Sequence, residues 1–250
     1  MSEFRDWYNS VPLFTRHWLT YTVVLSLLAK FGLINYYYLV LNFDAFLYQF
    51  QIWRPLTALF FYPITPSTGL HFLINCYFLY NYSQRLETSI FAGKPADYFY
   101  MLFFNWFCCV IIGFILGLSF LMDAMVLSVL YIWCQLNKDV IVSFWFGTRF
   151  KAMYLPWVLL AFNLIISGSV IMEILGILIG HLSFFLVFKY PQEFGGPELL
   201  TPPHFLKALF PETRYMGGFG SAPESRAPTR PAGNAFGGHN WGRGQTLGGN

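Results

Sequence analysis

The sequence predicts an all-α membrane protein of six helical spans followed by a disordered cytosolic tail, and three observations carry that prediction. The 250 residues are 56% hydrophobic and only 11% charged, whereas a soluble domain carries roughly 25% charged residues. That composition excludes an ordinary soluble enzyme. The apolar residues gather in long runs, 18–34, 56–82, 98–136, 154–166 and 170–188, and the chain between and after them changes character abruptly. The Lys and Arg residues, finally, fall almost entirely on alternate connections between those runs.

In chain order, residues 1–17 form a cytosolic N-terminal segment. Phe4, Trp7, Tyr8 and Val11 recur at helical spacing with polar residues between them, which predicts a short helix lying on the membrane surface, its length limited by Pro12. The segment lacks the uninterrupted apolar core of a cleavable signal peptide, so the first span is expected to serve as the targeting signal. The membrane domain covers 18–190. Its first span ends near Ile34, and Pro63 and Pro66 delay the second until about Thr68 or Gly69, leaving 35–67 as a long loop. That loop is rich in Tyr and Phe, a composition suited to the membrane interface.

The run 98–136 would extend roughly 58 Å as one helix, twice the ~30 Å hydrocarbon thickness. It is therefore read as two spans turning near Gly117 to Asp123, which brings the total to six. The fourth and fifth spans, near 124–136 and 154–166, are short, roughly 20 Å of helix each. With the N-terminus inside, only Lys30 and Arg54 of the 15 Lys and Arg lie off the cytosolic side, so both termini are expected in the cytosol. Residues 191–250 are Gly- and Pro-rich and read as a flexible tether. The tail ends in one aromatic and one Leu bracketing glycines, Trp241-Gly242-Arg243-Gly244-Gln245-Thr246-Leu247, the pattern of a short docking motif.

A net charge of +3, dispersed along the chain, does not make a nucleic-acid binder. Cys76, Cys108, Cys109 and Cys134 lie in apolar runs without Cys-x-x-Cys spacing and suggest neither disulfides nor a metal. No cofactor or metal is expected. Polar groups among apolar spans carry an energetic cost, so each is a functional candidate: His71, Asn75, Asn105, Ser128, Asn163, Glu173 and His181. They form no acidic series through several spans of the kind an ion relay needs. Small residues four apart let helices approach closely, and the pairs Gly176/Gly180 and Gly113/Gly117 are both read as packing positions. His71, Asn75 and His181 are read as hydrogen-bonding, packed residues.

Several of these features resemble the rhomboid superfamily: Trp53-Arg54 in the first loop, His71-Phe-Leu-Ile-Asn75 on the second span, and Gly176-Ile-Leu-Ile-Gly180 on the sixth. The proteases of that superfamily place a serine in Gly-x-Ser-Gly on the fourth span and a histidine three residues before the sixth-span glycines. This chain has Val126-Leu-Ser128-Val129 and Glu173 there, so the nucleophile–base pair is missing. An oxyanion site at His71 and Asn75 then has nothing to stabilise.

Longer blocks, among them Phe50-Gln-Ile-Trp53-Arg54-Pro55, Arg85-Leu-Glu87, Phe104-Asn105-Trp106 and 142–151, resemble the derlins, inactive rhomboid relatives of the endoplasmic reticulum, and specifically the derlin-one type. The resemblance implies a multi-pass protein of the endoplasmic reticulum membrane that acts in the degradation of misfolded proteins and forms part of a retrotranslocation path. It implies partnership with a membrane ubiquitin ligase complex, misfolded clients and further copies of itself. It also implies that Trp241, Gly242, Gly244, Gln245 and Leu247 dock the valosin-containing AAA ATPase, with Trp241 standing where Phe commonly opens the motif. Trp53 and Arg54 would anchor the first loop at the lumenal interface. Two other readings compete: a membrane adaptor that forms no path, and a protease using Ser128 with Glu173.

Overall fold

The computed structural model of the protein describes residues 2–143, 147–167, 169–195 and 200–212, and the chain there is predominantly helical. Helix α1 (Ser2–Ser10) stops before Pro12, and α2 (Leu13–Lys30) follows at once. Exposed Phe4 and Trp7 give α1 an apolar face, and Trp7 also meets Tyr80, 5.9 Å between rings.

No side chain at the N-terminus of α2 caps it. The cap comes from 73 residues away: Glu87 accepts from Phe14 N (3.0 Å), Thr15 N (2.9 Å) and Thr15 Oγ1 (2.8 Å). An anion facing orphan N–H groups at the positive end of a helix is doubly favoured. Thr15 and Ser83 hydroxyls continue the chain to Tyr98, so one polar thread ties the starts of α2 and α6 to α5. Glu87→Ala should lower stability by about 1–2 kcal/mol, the usual worth of a cap. An unchanged unfolding temperature in detergent would rule out the cap as a stabilising contact.

Residues 35–67 are more ordered than a plain loop. Asn35 caps a short 3-10 turn, Tyr36–Tyr38, and Asn42 caps α3 (Phe43–Tyr48), each through its side-chain oxygen. Pro55 opens α4 (Arg54–Phe60) in the first turn, where its missing N–H costs nothing. Backbone bonds from Leu41 N to Ser119 O (2.9 Å) and from Leu121 N to Ala58 O (3.1 Å) fasten this layer to the non-helical connection 117–121.

Helix α5 (Gly69–Phe78) begins where the prolines predict and continues through π turns at Leu79–Ser83 and Leu86–Ile90. The run 98–136 does split: α6 (Pro95–Leu116) ends at Gly117, whose φ of +66° and N–H to Gly113 O make a left-handed helix stop. A β-carbon on Gly117 would meet nothing within 4 Å. Gly117 therefore terminates a helix, correcting the expectation that it packs one; Gly113 does pack, against Leu121 and Leu41.

Helix α7 (Met122–Leu136) is the centre of the bundle, with every residue from Ala124 to Cys134 buried. A helix apolar on all sides is stable only when surrounded, and α7 touches α4, α5, α6, α8 and α9. A two-stranded hairpin, β1 (Ile141–Ser143) and β2 (Arg149–Lys151), follows in antiparallel register, Val142 opposite Phe150. At its base Lys151 donates to Asp139 at 2.8 Å, and that bond holds the Asp139 carboxyl below its ordinary range. Both groups are exposed, so the pair adds little stability.

Helices α8 (Leu155–Ser167) and α9 (Ile171–Phe184) complete the bundle. A π turn, Phe185–Lys189, joins α9 to α10 (Tyr190–Phe194) as one 24-residue helix. Among the described residues two helices are long and apolar enough to cross a membrane, Pro95–Leu116 and Ile171–Phe194, with shorter apolar helices at Met122–Leu136 and Ala152–Ile165. Order also continues past residue 191: α11 (His204–Leu209) buries Leu206, and the following Phe210 packs edge-on against Phe14 and tilted against Phe99. Any structureless tether starts later than the expected boundary. The terminal motif, Trp241 to Leu247, lies outside the described residues.

Candidate functional site: a polar cavity among apolar helices

Helices α5, α7, α8 and α9 enclose a cavity of about 20 Å³, lined by His71, Asn75, Asp123, Asn163 and Glu173 on apolar walls. That volume accommodates a single water, and the lining offers the polar partners a water needs. The five polar groups reach the cavity from four elements. His71 and Asn75 are four apart on α5 and share one face. Asp123 sits in the first turn of α7, Asn163 in α8 and Glu173 in the first turn of α9.

The groups hydrogen-bond one another on two walls, which a contact between His71 and Asn163 joins. On one wall Asn75 Nδ2 donates to Asp123 Oδ1 at 2.6 Å and points its second N–H at His71 Nδ1, 3.3 Å away. Tyr62, from the end of the first connection, donates its hydroxyl to the same ring nitrogen at 2.6 Å. With Nδ1 accepting from both, the imidazole proton belongs on Nε2. On the other wall Asn163 Nδ2 donates to Glu173 Oε1 at 2.6 Å. Asn75 and Glu173 are buried.

Close packing of α9 on α7 sets this geometry. A β-carbon on Gly176 would lie 2.7 Å from Ala124 O and 2.8 Å from Leu127 Cβ, and one on Gly180 would lie 2.8 Å from Ser128 O and 2.9 Å from Tyr131 Cβ. The two glycines thus lay α9 directly against the α7 backbone, in the parallel register Gly176 beside Ala124 and Gly180 beside Ser128. Glu173, one turn before Gly176, is thereby carried to the level of Asp123.

The same register separates Ser128 from Glu173. Ser128 is fully buried, donates to Met125 O at 2.8 Å and accepts from Asn105 Nδ2 at 3.2 Å, while Glu173 faces Asn163. The arrangement contains no nucleophile–base contact between them. Asn105 therefore belongs to a separate contact beside α7. His181 is also apart, and it is exposed rather than packed in the core; its only expected feature retained is a hydrogen bond, Nδ1 to Tyr131 OH at 2.9 Å. Among the described residues no cluster of His, Cys, Asp or Glu could hold a metal ion.

Trp53 and Arg54 form a second, distinct feature in the first connection. Arg54 is 1% exposed and its guanidinium makes three hydrogen bonds: Nε donates to Gln51 Oε1 (2.6 Å), and Nη1 donates to Tyr37 O (2.8 Å) and Val40 O (2.9 Å), with the Tyr37 ring 5.7 Å away. Trp53 turns outward, 48% exposed.

Sequence comparison decides the family. Residues 11–204 match the Der1-like family, and the chain is 53% identical over 249 residues to Derlin-1 of Homo sapiens, covering 99% of both chains. This chain belongs to the Der1-like family. It is also 51% identical over 245 residues to Derlin-1 of Drosophila melanogaster (98% of each) and 48% identical over 244 residues to Derlin-1 of Caenorhabditis elegans (96% of each). A derlin is a membrane protein, and the apolar helices of this one agree with that. The site residue that sequence reasoning missed is Asp123, which was assigned to the turn between spans. It is the one charged residue between Tyr98 and Leu136, and that isolation was the available signal.

Proposed function

We propose that this derlin is a six-span protein of the endoplasmic reticulum membrane, both termini cytosolic, that helps misfolded polypeptides reach the cytosol for degradation and performs no proteolysis itself. The observation that carries this reading is the polar cavity among short apolar helices. Helices α7 and α8 have 15 and 13 residues, roughly 20 Å each, against ~30 Å of hydrocarbon. Short helices thin the surrounding bilayer, and five polar groups gathered where α5, α7 and α9 begin lower the cost of placing a peptide backbone there.

The Gly- and Pro-rich remainder of the tail recruits the pulling agent. In this reading Trp241, Gly242, Gly244, Gln245 and Leu247 dock the valosin-containing AAA ATPase, and tethering raises its local concentration without new contacts in the bundle. A membrane ubiquitin ligase complex and further copies of the chain complete the assembly. Exposed Trp53, on a loop held rigid by Arg54, rests at the lumenal interface.

The test is a pulse-chase of a misfolded lumenal client in cells lacking the protein, supplied with wild type, Trp241→Ala with Leu247→Ala, or Asn75→Leu with Asp123→Leu. The tail variant is expected to slow degradation and to recover less ATPase. The cavity variant is expected to slow degradation while recovering the ATPase normally. Normal degradation with the cavity variant would reduce the protein to an adaptor, and normal degradation without any copy would remove the proposed role.

A further inference from the structure

Helix α9 has two faces. Gly176 and Gly180 lay one of them against α7. The opposite face carries Ile171, Ile174, Leu178, His181 and Phe185, all exposed. The steps along it are three, four, three and four residues, the a/d spacing of helices that pair with a left-handed crossing. Large apolar side chains alone would suit lipid, as on the outer face of α6, where every exposed residue from Phe103 to Leu116 is apolar. His181 sets the α9 face apart. It stands ten residues beyond Ile171, the start of the helix, roughly 15 Å by helical rise and so near the middle of ~30 Å of hydrocarbon. Its Nδ1 is bonded to the hydroxyl of buried Tyr131 at 2.9 Å, whereas Nε2 has no partner among the described residues. A polar group turned to hydrocarbon at that depth is costly, and such groups hydrogen-bond across helices.

We propose that a second copy of this chain covers this face, the two α9 helices packing along Leu178 and the two His181 rings hydrogen-bonding to each other through Nε2. This deepens the self-association proposed above and rests on that reading. Acyl chains offer the imidazole no hydrogen bond. A copy inserted in the same direction brings an imidazole to the same depth, because a two-fold axis along the membrane normal sets each residue on the axis opposite its own mate. Imidazole is also self-complementary: a neutral ring has one N–H and one acceptor nitrogen. The Tyr131 hydroxyl donates or accepts equally well, so Nδ1 is free to take either role. One ring then presents Nε2–H and its mate a bare Nε2. A single polar residue in an otherwise apolar a/d seam fixes register, since a slip of one turn would leave both Nε2 atoms unpaired. Another membrane partner would need a polar group of its own at this depth, and the copy brings one in every case.

The experiment reconstitutes the full chain in phosphatidylcholine vesicles, oxidises with copper phenanthroline and reads disulfide-linked dimer on a non-reducing gel. Wild type gives the background from the four native cysteines. Leu178→Cys, on the seam, should give at least about threefold more dimer than wild type or than Ile111→Cys on the outer face of α6. Adding His181→Leu should cut that dimer by at least about threefold, the worth of one interhelical hydrogen bond. Adding His181→Asn instead, which keeps a donor and an acceptor, should preserve most of it. No excess of dimer at Leu178→Cys, while an amine-reactive cross-linker still links wild-type copies in the same vesicles, overturns this face as the interface but leaves self-association intact. Absence of both products overturns both. Equal dimer with and without His181→Leu, or equal loss with His181→Leu and His181→Asn, overturns the imidazole pair.

Discussion

Gly176→Leu is expected to be the most damaging single substitution in the bundle. A bare β-carbon at that position already sits 2.7 Å from a backbone oxygen of α7, and a backbone cannot rotate away as a side chain does. Four added carbons must push α9 off α7, the most extensive helix pair in the protein. Overpacking in a tight core costs about 1–3 kcal/mol when side chains absorb it, and here the loss should meet or exceed that range. Gly180→Leu should behave alike, since its neighbours are Ser128 O and the Tyr131 β-carbon. Gly113→Ala provides the contrast, because its β-carbon would meet two leucine δ-carbons, which rotate. Thermal unfolding of the purified proteins in detergent should rank wild type and Gly113→Ala together, well above either leucine variant. Equal unfolding temperatures for all four would show that α7 and α9 do not depend on close contact.

The separation should also be felt at the polar cavity, because Glu173 is one turn from Gly176 and reaches Asn163 only while α9 lies flush on α7. A variant that folds but has moved α9 would lose the Asn163–Glu173 bond while keeping Asn75–Asp123, which lies between α5 and α7. Under the proposed function, client degradation should slow in proportion.

Arg54→Ala is the second large effect. The guanidinium is buried with no carboxylate partner among the described residues and is held by two carbonyls and one amide oxygen. Hydrogen bonds to a charged group contribute about 1.5–3 kcal/mol each, and an acceptor left buried and unpaired adds about 1–3 kcal/mol. Because the bonds act as a unit, the whole loss is smaller than their sum, about 3–5 kcal/mol. The damage should be local: 36–53 should become protease-sensitive first, since Tyr37 O, Val40 O and Gln51 are the groups released. Arg54→Lys should rescue only in part, as a point charge cannot reach three directions in one plane. Limited proteolysis that cuts Arg54→Ala and wild type at the same rate would refute the role.

Sequence patterning placed most of the helices because their signals are local. Pro63 and Pro66 delay α5, Pro12 separates α1 from α2, and the length of 98–136 demands a break, which Gly117 supplies. The short helices of the first connection were missed because they are too brief to show a period, although their caps, Asn35 and Asn42, and the opening Pro55 were in view. The hairpin 141–151 was missed for a related reason: strands of three residues carry no alternation to read.

The candidate site was legible only in part. His71, Asn75, Asn163 and Glu173 stand out because each is a polar residue within an apolar run, and solvation cost makes such residues conspicuous. Asp123 escaped because it lies at a helix boundary, where a charge is unremarkable until its partner is known. His181 and Asn105 were grouped with the cavity residues by composition alone, and helix rotation sends both elsewhere.

By itself the sequence determined that this chain is a helical membrane protein and where most of its long helices break, because hydrophobicity, proline and glycine act on their immediate neighbours. Only the tertiary structure decided which polar groups meet. Partners such as Glu87 with Phe14 and Thr15, Asp123 with Asn75, and Arg54 with Tyr37 and Val40 are set by helix rotation and register, which depend on contacts between segments far apart in the chain. Those contacts turn on close approach, a β-carbon absent at Gly176 and at Gly180, and no local pattern specifies what such a gap will face.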